Sequence, residues 1–311
     1  MDLPDNAAPR VSICIPTRNR KDALAVCLES CMAQDYRPLE IIVYDDASTD
    51  GTPGEVKRLF PEILCISTRK RVGQAGLRDR GFRDCHGDFV FSLDDDAYFS
   101  DTGTILRTLS DFQNDPGIGG VAIPFIEPIR RASHEQAPLS PHDNLRSFYG
   151  CAYAIRRATA LACGGYRAFF QAHVEERDLC IRILDHGGGI IYGSAPPVVH
   201  MVHPTGERPR VQYLGVRNTL LFDYLNIPQP YVVQKYVMDM ARLFVHKLTL
   251  FSAPRRLFYV LAGVGACLRY LLRRHAVSRA TYKKFIRLPG HSPLSCAGPL
   301  PPPARRPVQH R

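Results

Sequence analysis

From Val11 onward, short apolar runs alternate with longer stretches in which apolar residues recur at helical spacing. The runs at residues 11–15, 40–44, 63–66 and 89–93 predict strands, and the periodic stretches at 21–33, 54–60 and 76–84 predict the helices between them. Strands separated by helices call for right-handed crossovers and a mostly parallel sheet covered on both faces, the α/β class. The pattern continues with loop plus strand over 117–126, a polar loop over 134–144 and a strand over 151–155. Helices are expected at 157–163 and 175–186, the second closed by the glycines at 187–189. Short strands at 190–192 and 198–199 lead to His200, and a helix over 211–225 closes the main domain. Four segments are therefore expected: an arm at 1–10, an α/β domain at 11–225, a helical segment at 226–287 and a Pro-rich tail at 288–311. The tail is sparse in apolar residues and is expected to be disordered.

Charge sharpens this division. From Asn226 onward 15 Lys or Arg face a single acid, Asp239, a balance of +14, whereas the first 225 residues carry 25 bases and 29 acids, a balance of −4. An acidic body with a basic, partly apolar end suits an anionic membrane surface better than a nucleic acid. The apolar run at 257–268 is only 12 residues, short of the roughly 20 needed to span a bilayer. The first ten residues hold acids and no apolar run, so no secretory signal is expected and the chain is placed in the cytosol or peripherally on the inner face of the cell membrane. Ten cysteines show no C-x-x-C spacing, and several lie in apolar runs, so they read as reduced core residues.

In a doubly wound sheet, ligands bind beyond the carboxyl ends of the strands, and unusual polar residues collect there. Pro16, Thr17 and Arg18 follow the first strand, where Pro16 is expected to stop the ladder. Asp45 and Asp46 end the second and are placed to accept bonds from a nucleoside, although capping by Ser48 or Asp50 accounts for one such acid. Asp94, Asp95 and Asp96 follow the apolar strand 89–93; three adjoining carboxylates repel one another, and a hard divalent cation relieves that repulsion. Asp94 and Asp96 fall on one side of an extended chain and could address a metal and a donor together. Glu175, Glu176 and Asp178 open a helix, suited either to the helix dipole or to a positioned base. His200 ends a strand, and His203 reads as structural.

In this order and spacing, the clusters resemble the family 2 glycosyltransferases of the GT-A fold over roughly residues 11–225. The resemblance rests on Pro16, Thr17, Asn19 and Arg20, on the run Asp45 to Thr52, on the segment Gly73 to Gly81, on Asp94 and Asp96, and on Gly164, Gly165 and Tyr166. It implies an inverting sugar transfer from a nucleotide-sugar donor to a glycan or lipid-linked acceptor, dependent on Mg²⁺ or Mn²⁺. It further implies that Pro16, Thr17, Arg18, Asp45, Asp46, Asp94 and Asp95 serve the donor, with Arg78 near its diphosphate. Asp94, Asp96 and His200 would hold the metal, Glu176 or Asp178 would be the base, and Gly164 to Tyr166 would face the acceptor. The late pair Arg217-Asn218 also fits. Three positions depart from the pattern: Leu77 and Asp79 replace Ala and Asn, and Glu176 is one methylene longer than the usual Asp. A nucleotidyltransferase and a non-catalytic, membrane-associated module of the same fold are the alternatives. The first normally carries a Gly-rich, Lys-containing loop after strand one, which Pro16 to Arg20 lacks.

Overall fold

A computed structural model describes residues 8–128, 139–201, 209–245, 253–294 and 299–305. His203, most of the arm and parts of the 134–144 loop, the helical segment and the tail lie outside these residues.

The chain begins β1 (Val11–Thr17), α1 (Lys21–Met32), β2 (Leu39–Asp45), α2 (Thr52–Leu59), β3 (Leu64–Ser67), α3 (Gln74–Asp84), β4 (Phe89–Leu93), β5 (Ala97–Phe99) and α4 (Thr104–Gln113). It continues β6 (Ile118–Ala122), β7 (Phe125–Ile126), β8 (Ala152–Arg156), α5 (Arg157–Ala162), α6 (Glu175–Asp185), β9 (Gly189–Tyr192) and β10 (Val198–His200). The last elements are α7 (Pro209–Asn226), α8 (Tyr231–Val245), α9 (Ala253–Arg269) and α10 (Arg279–Arg287).

Seven strands form the main sheet in the order β3-β2-β1-β4-β8-β6-β9. β8 runs antiparallel to both neighbours and the other pairs are parallel. The continuous apolar runs follow from burial on both faces. Val11, Ile13 and Ile15 of β1 pack with Leu24, Cys27 and Leu28 of α1, whereas Cys14 packs on the other face with Leu77 and Phe82 of α3. The nine described cysteines are free, and eight of them are buried.

A second sheet, β5-β10-β7, stands beyond the end of β4. Its antiparallel register sets His200 opposite Ala97, and β7 runs parallel to β10 with Ile126 beside Val199. This small sheet returns distant chain to the edge where β1, β2 and β4 end.

Three expectations change. β1 extends through Pro16 to Thr17, in register with Tyr44 and Asp45. Its pairing with β4 stops at Cys14 and Ser92, and the Thr17 carbonyl bonds towards the β2 side, so the missing N–H of Pro16 falls where the β4 ladder has already ended. The Pro-rich tail, in its described parts, is packed rather than disordered. Leu294 N–H donates to Phe125 O, Ala304 N–H donates to Phe99 O, and His291 is buried against the Phe125 ring. The tail builds no core of its own; it covers the exposed edges of the small sheet. Elements β5 and α4, finally, lie where none was predicted.

The helical segment forms a layer against α7, and among the described residues no helix is long and apolar enough to cross a membrane.

Candidate active site

The carboxyl ends of β1, β2 and β4 open into a cavity of about 640 Å³. Thr17 closes β1 and donates its hydroxyl to Asp95 Oδ2 at 2.8 Å, with Arg18 N–H on the same oxygen at 3.3 Å. The Arg20 guanidinium bridges Asp95 and Asp96. Asn19 ties this loop to the one after β2, accepting from Thr49 N–H at 2.7 Å and donating its own N–H to Ser48 Oγ at 2.9 Å. Burial pushes the Asp95 carboxyl up to about 7, with Arg20 opposing.

The chain turns at Asp95 and Asp96, closed by Ala97 N–H on Asp94 O at 3.0 Å, rather than running extended. Asp94 and Asp96 nevertheless converge. His200 Nε2 lies 3.6 Å from Asp94 Oδ2 and 3.2 Å from Asp96 Oδ1, and Met201 N–H donates to Asp96 O at 2.8 Å. Glu127, just beyond β7, sits 3.0 Å from His200 Nδ1. That contact fixes the ring so that Nε2 faces the two aspartates. Burial opposes charge on His200, but Asp96, Cys151 and Glu127 outweigh it and push its pKa well up. Burial likewise opposes charge on Asp96, yet His200 and Arg20 hold its carboxyl below the usual range.

Asp94, Asp96 and His200 each offer one ligand atom, and these atoms lie within 4.8 Å of one another. Two carboxylate oxygens and one imidazole nitrogen backed by a carboxylate fit a divalent cation of the Mg²⁺ or Mn²⁺ kind.

Arg78 is buried behind this cluster, 2.5 Å from Asp94 Oδ1, 3.3 Å from Glu176 Oε1 and 3.5 Å from Glu175 Oε1. One cation cannot balance three adjoining carboxylates. Burial, reinforced by the neighbouring Glu176, pushes Glu175 well above the usual carboxylate range. Burial also raises Glu176, with Arg78 opposing. Arg78 therefore joins the Asp94 and Glu176 loops and is not presented to a diphosphate, contrary to expectation. Arginines that do line the cavity are Arg18, Arg20, Arg71 and Arg210. Burial and the like charges of Arg210 and Arg18 lower the pKa of Arg71, which marks a cationic cluster suited to an anion.

Other predicted residues separate in the same way. Asp46 lines the cavity and accepts from the N–H groups of Val72 and Gly73, at 2.5 and 3.1 Å. Asp45 is instead absorbed by its own turn, accepting from Ser48 N–H. Asp178 is removed as a base: it is buried, and Arg167, Arg182 and Asn226 donate to both its oxygens at 2.7–3.1 Å. Gly164, Gly165 and Tyr166 do not reach the cavity. Tyr166 stacks on Phe82 and donates to Tyr153 Oη, and Gly165 O accepts from Arg182. Asp79 pairs with Arg83 at 2.9 Å.

The wall opposite the aspartates is a strained loop. Gln171, His173 and Val174 all have positive φ, at 65°, 67° and 72°, a sparsely populated region for residues with side chains. Asn218 Nδ2 spans it, donating to Phe170 O, Ala172 O and His173 O at 2.8, 2.7 and 2.9 Å, while Arg217 holds Phe169 O at 2.9 Å.

Residues 12–177 match the sequence pattern described as Glycosyl transferase family 2. The chain belongs to this family. Among family relatives, the UDP-Glc:alpha-D-GlcNAc-diphosphoundecaprenol beta-1,3-glucosyltransferase WfaP of Escherichia coli is 36% identical over 93 residues, 30% of this chain and 37% of that protein. The match thus spans only about a third of such curated relatives. Solved structures share the GT-A fold. The mannosyltransferase PcManGT from Pyrobaculum calidifontis, in complex with GDP-Man and Mn²⁺, superposes with a TM-score of 0.59 at 20% identity, over 91% of this chain and 80% of that one. Staphylococcus aureus TarS 1-349 with UDP-GlcNAc gives 0.63 at 16%, over 83% and 81%.

For this member of glycosyl transferase family 2, sequence reasoning missed Arg71, Glu127, Gln171 and Arg210 as site residues. Arg71 ends the basic run Arg69-Lys70-Arg71 ahead of Gly73, which was a legible signal. Glu127 reaches the site through the small sheet, Arg210 through α7 and Gln171 through the loop ahead of α6, and no local pattern marks them.

Proposed function

We propose that this chain transfers a sugar from a nucleotide-sugar donor to a hydroxyl of a glycan or lipid-linked acceptor, with inversion and with Mg²⁺ or Mn²⁺. The observation that carries this reading is the convergence of Asp94, Asp96 and His200 beside a cavity edged by Thr17 and Asp46, with Glu176 joined to Asp94 through Arg78. Asp46 and the loop after β1 receive the nucleoside. Arg18, Arg71 and Arg210, with the N-terminus of α3, favour the phosphates. Asp94, Asp96 and His200 would hold the cation, which when bound would supply Lewis acidity to the departing diphosphate. Glu176 accepts the proton of the acceptor hydroxyl as its oxygen bonds to the anomeric carbon and the bond from that carbon to the donor phosphate breaks. Burial raises the basicity of Glu176, and Arg78 fixes its position. One base and one in-line displacement give inversion.

The basic segment favours a peripheral place on an anionic membrane. Along the outer stripe of α9 and the turn after it, Phe258, Leu261, Leu268, Leu271 and Leu272 are exposed, Leu272 by 98%. Such a stripe beside arginines suits an interfacial helix. The test is release of nucleoside diphosphate from UDP- and GDP-sugars with Mn²⁺, with and without EDTA. EDTA and Asp96→Ala should each abolish release; metal-independent turnover, or release of inorganic diphosphate, contradicts the reading.

A further inference from the structure

A second cleft, of about 480 Å³, opens between the turn at Ala168–Phe170, α7 and α9. Gln171 and Leu214 line both this cleft and the main cavity, so the two spaces share a wall. The walls of the cleft are aromatic and cationic. Phe169 and Tyr270 stack with ring centroids 4.2 Å apart, Tyr213, Arg217 and Arg269 also line the cleft, and no acid is among its described lining residues. Arg217 is committed in part to Phe169 O and Asn218 Oδ1, whereas Arg269 makes no ion pair with an acid among the described residues. At the outer end the chain passes directly from Arg269 and Tyr270 into Leu271 and Leu272, 53% and 98% exposed.

Each feature selects part of a ligand. Guanidinium groups without a carboxylate partner select phosphate, and aromatic faces select the apolar face of a sugar or a prenyl chain. Exposed leucines at the mouth extend that preference towards a lipid. A free phosphosugar would leave those leucines without use. We propose that the cleft binds the phosphate-borne, lipid-linked part of the acceptor and directs its sugar past Gln171 and Leu214 into the cavity. The direction of this path rests on the sugar-transfer reading; the binding of a lipid phosphate does not.

Gly265 provides a clean test, because a Cβ there meets nothing within 4 Å although the residue lines the cleft. Gly265→Leu adds bulk to open space, and on a helix leucine is the better former. Arg269→Glu reverses one charge at the mouth. The full-length chain is titrated calorimetrically with farnesyl diphosphate, with inorganic diphosphate and farnesol as separate arms, in the presence of saturating UDP and Mn²⁺. Farnesyl diphosphate should bind at least tenfold more tightly than either fragment, and each variant should weaken it at least tenfold with unchanged circular dichroism. Equal binding by wild type and both variants overturns the proposal, as does inorganic diphosphate binding as tightly as the prenyl form. UDP affinity is measured in parallel. Failure of the wild type to bind either UDP or, in a parallel titration, GDP would remove the sugar-transfer reading while the cleft assignment stood on its own data.

Discussion

Asn218→Ala removes the side chain that holds the loop ahead of Glu175 and Glu176. In the native chain one amide nitrogen, with two hydrogens, serves three carbonyls at 2.7–2.9 Å. These bonds offset the strain of three positive-φ residues, each worth about 1–3 kcal/mol. An unpaired buried carbonyl costs about 1–3 kcal/mol, and some of the three would recruit water, so the substitution should destabilise by about 3 kcal/mol. For a domain of this size that lowers Tm by about 6–10 °C. The loop also carries Gln171 and Ala172 into the cavity wall and sets the start of α6, so kcat should fall by about tenfold or more as Glu176 loses its placement. Asn218→Asp should be worse, since it aims a carboxylate at three carbonyl oxygens. Thermal unfolding by circular dichroism and steady-state transfer kinetics check both. A Tm within 2 °C or so of wild type together with unchanged kcat would refute the clamp.

Glu176→Gln should lower kcat by about 10²–10⁴ while leaving nucleotide affinity intact; wild-type turnover would remove Glu176 as the base. Asp178→Ala should act on stability, by about 3–5 kcal/mol, because it strands buried Arg182 and half-buried Arg167; a folded, equally stable variant would contradict that role. Asp223 is buried, neither of its oxygens has a hydrogen-bond donor among the described residues, and burial raises its carboxyl to about 7 against the Lys235 ammonium 4.0 Å away. The native state therefore keeps a proton that the unfolded chain releases above about pH 4, and stability falls as pH rises from about 4 to 7. Asp223→Asn should raise Tm more at pH 8 than at pH 5, and a uniform shift across that range would count against the sign.

Much of this architecture was legible because buried strands announce themselves. β1 and β4 are buried on both faces, and the acids sit where the runs of β2 and β4 stop. The pairing of Asp94 with Asp96 was right in its convergence and wrong in its cause: a turn and the register of β10 bring them together, not an extended chain. Asp45 and Asp46 looked equivalent, yet one serves its turn and the other the cavity. Arg78 and Asp178 were assigned through motif position, whereas the contact of Arg78 with Glu176 depends on chain 98 residues away and those of Asp178 with Arg167 and Asn226 on chain 11 and 48 residues away. α4 did carry a readable signal, with Ile105, Leu109 and Phe112 at helical spacing. The tail was misjudged because apolar content measures the ability to form a core, not the ability to add a few residues to an existing sheet.

Cation binding tests the central claim most directly. Mn²⁺ is titrated into the wild type, Asp96→Asn and His200→Ala in the presence of UDP, by calorimetry or by loss of the free-ion paramagnetic signal. One Mn²⁺ per chain is predicted for the wild type, with at least tenfold weaker binding in each variant. Wild-type affinity in both variants would place the cation elsewhere and contradict the account.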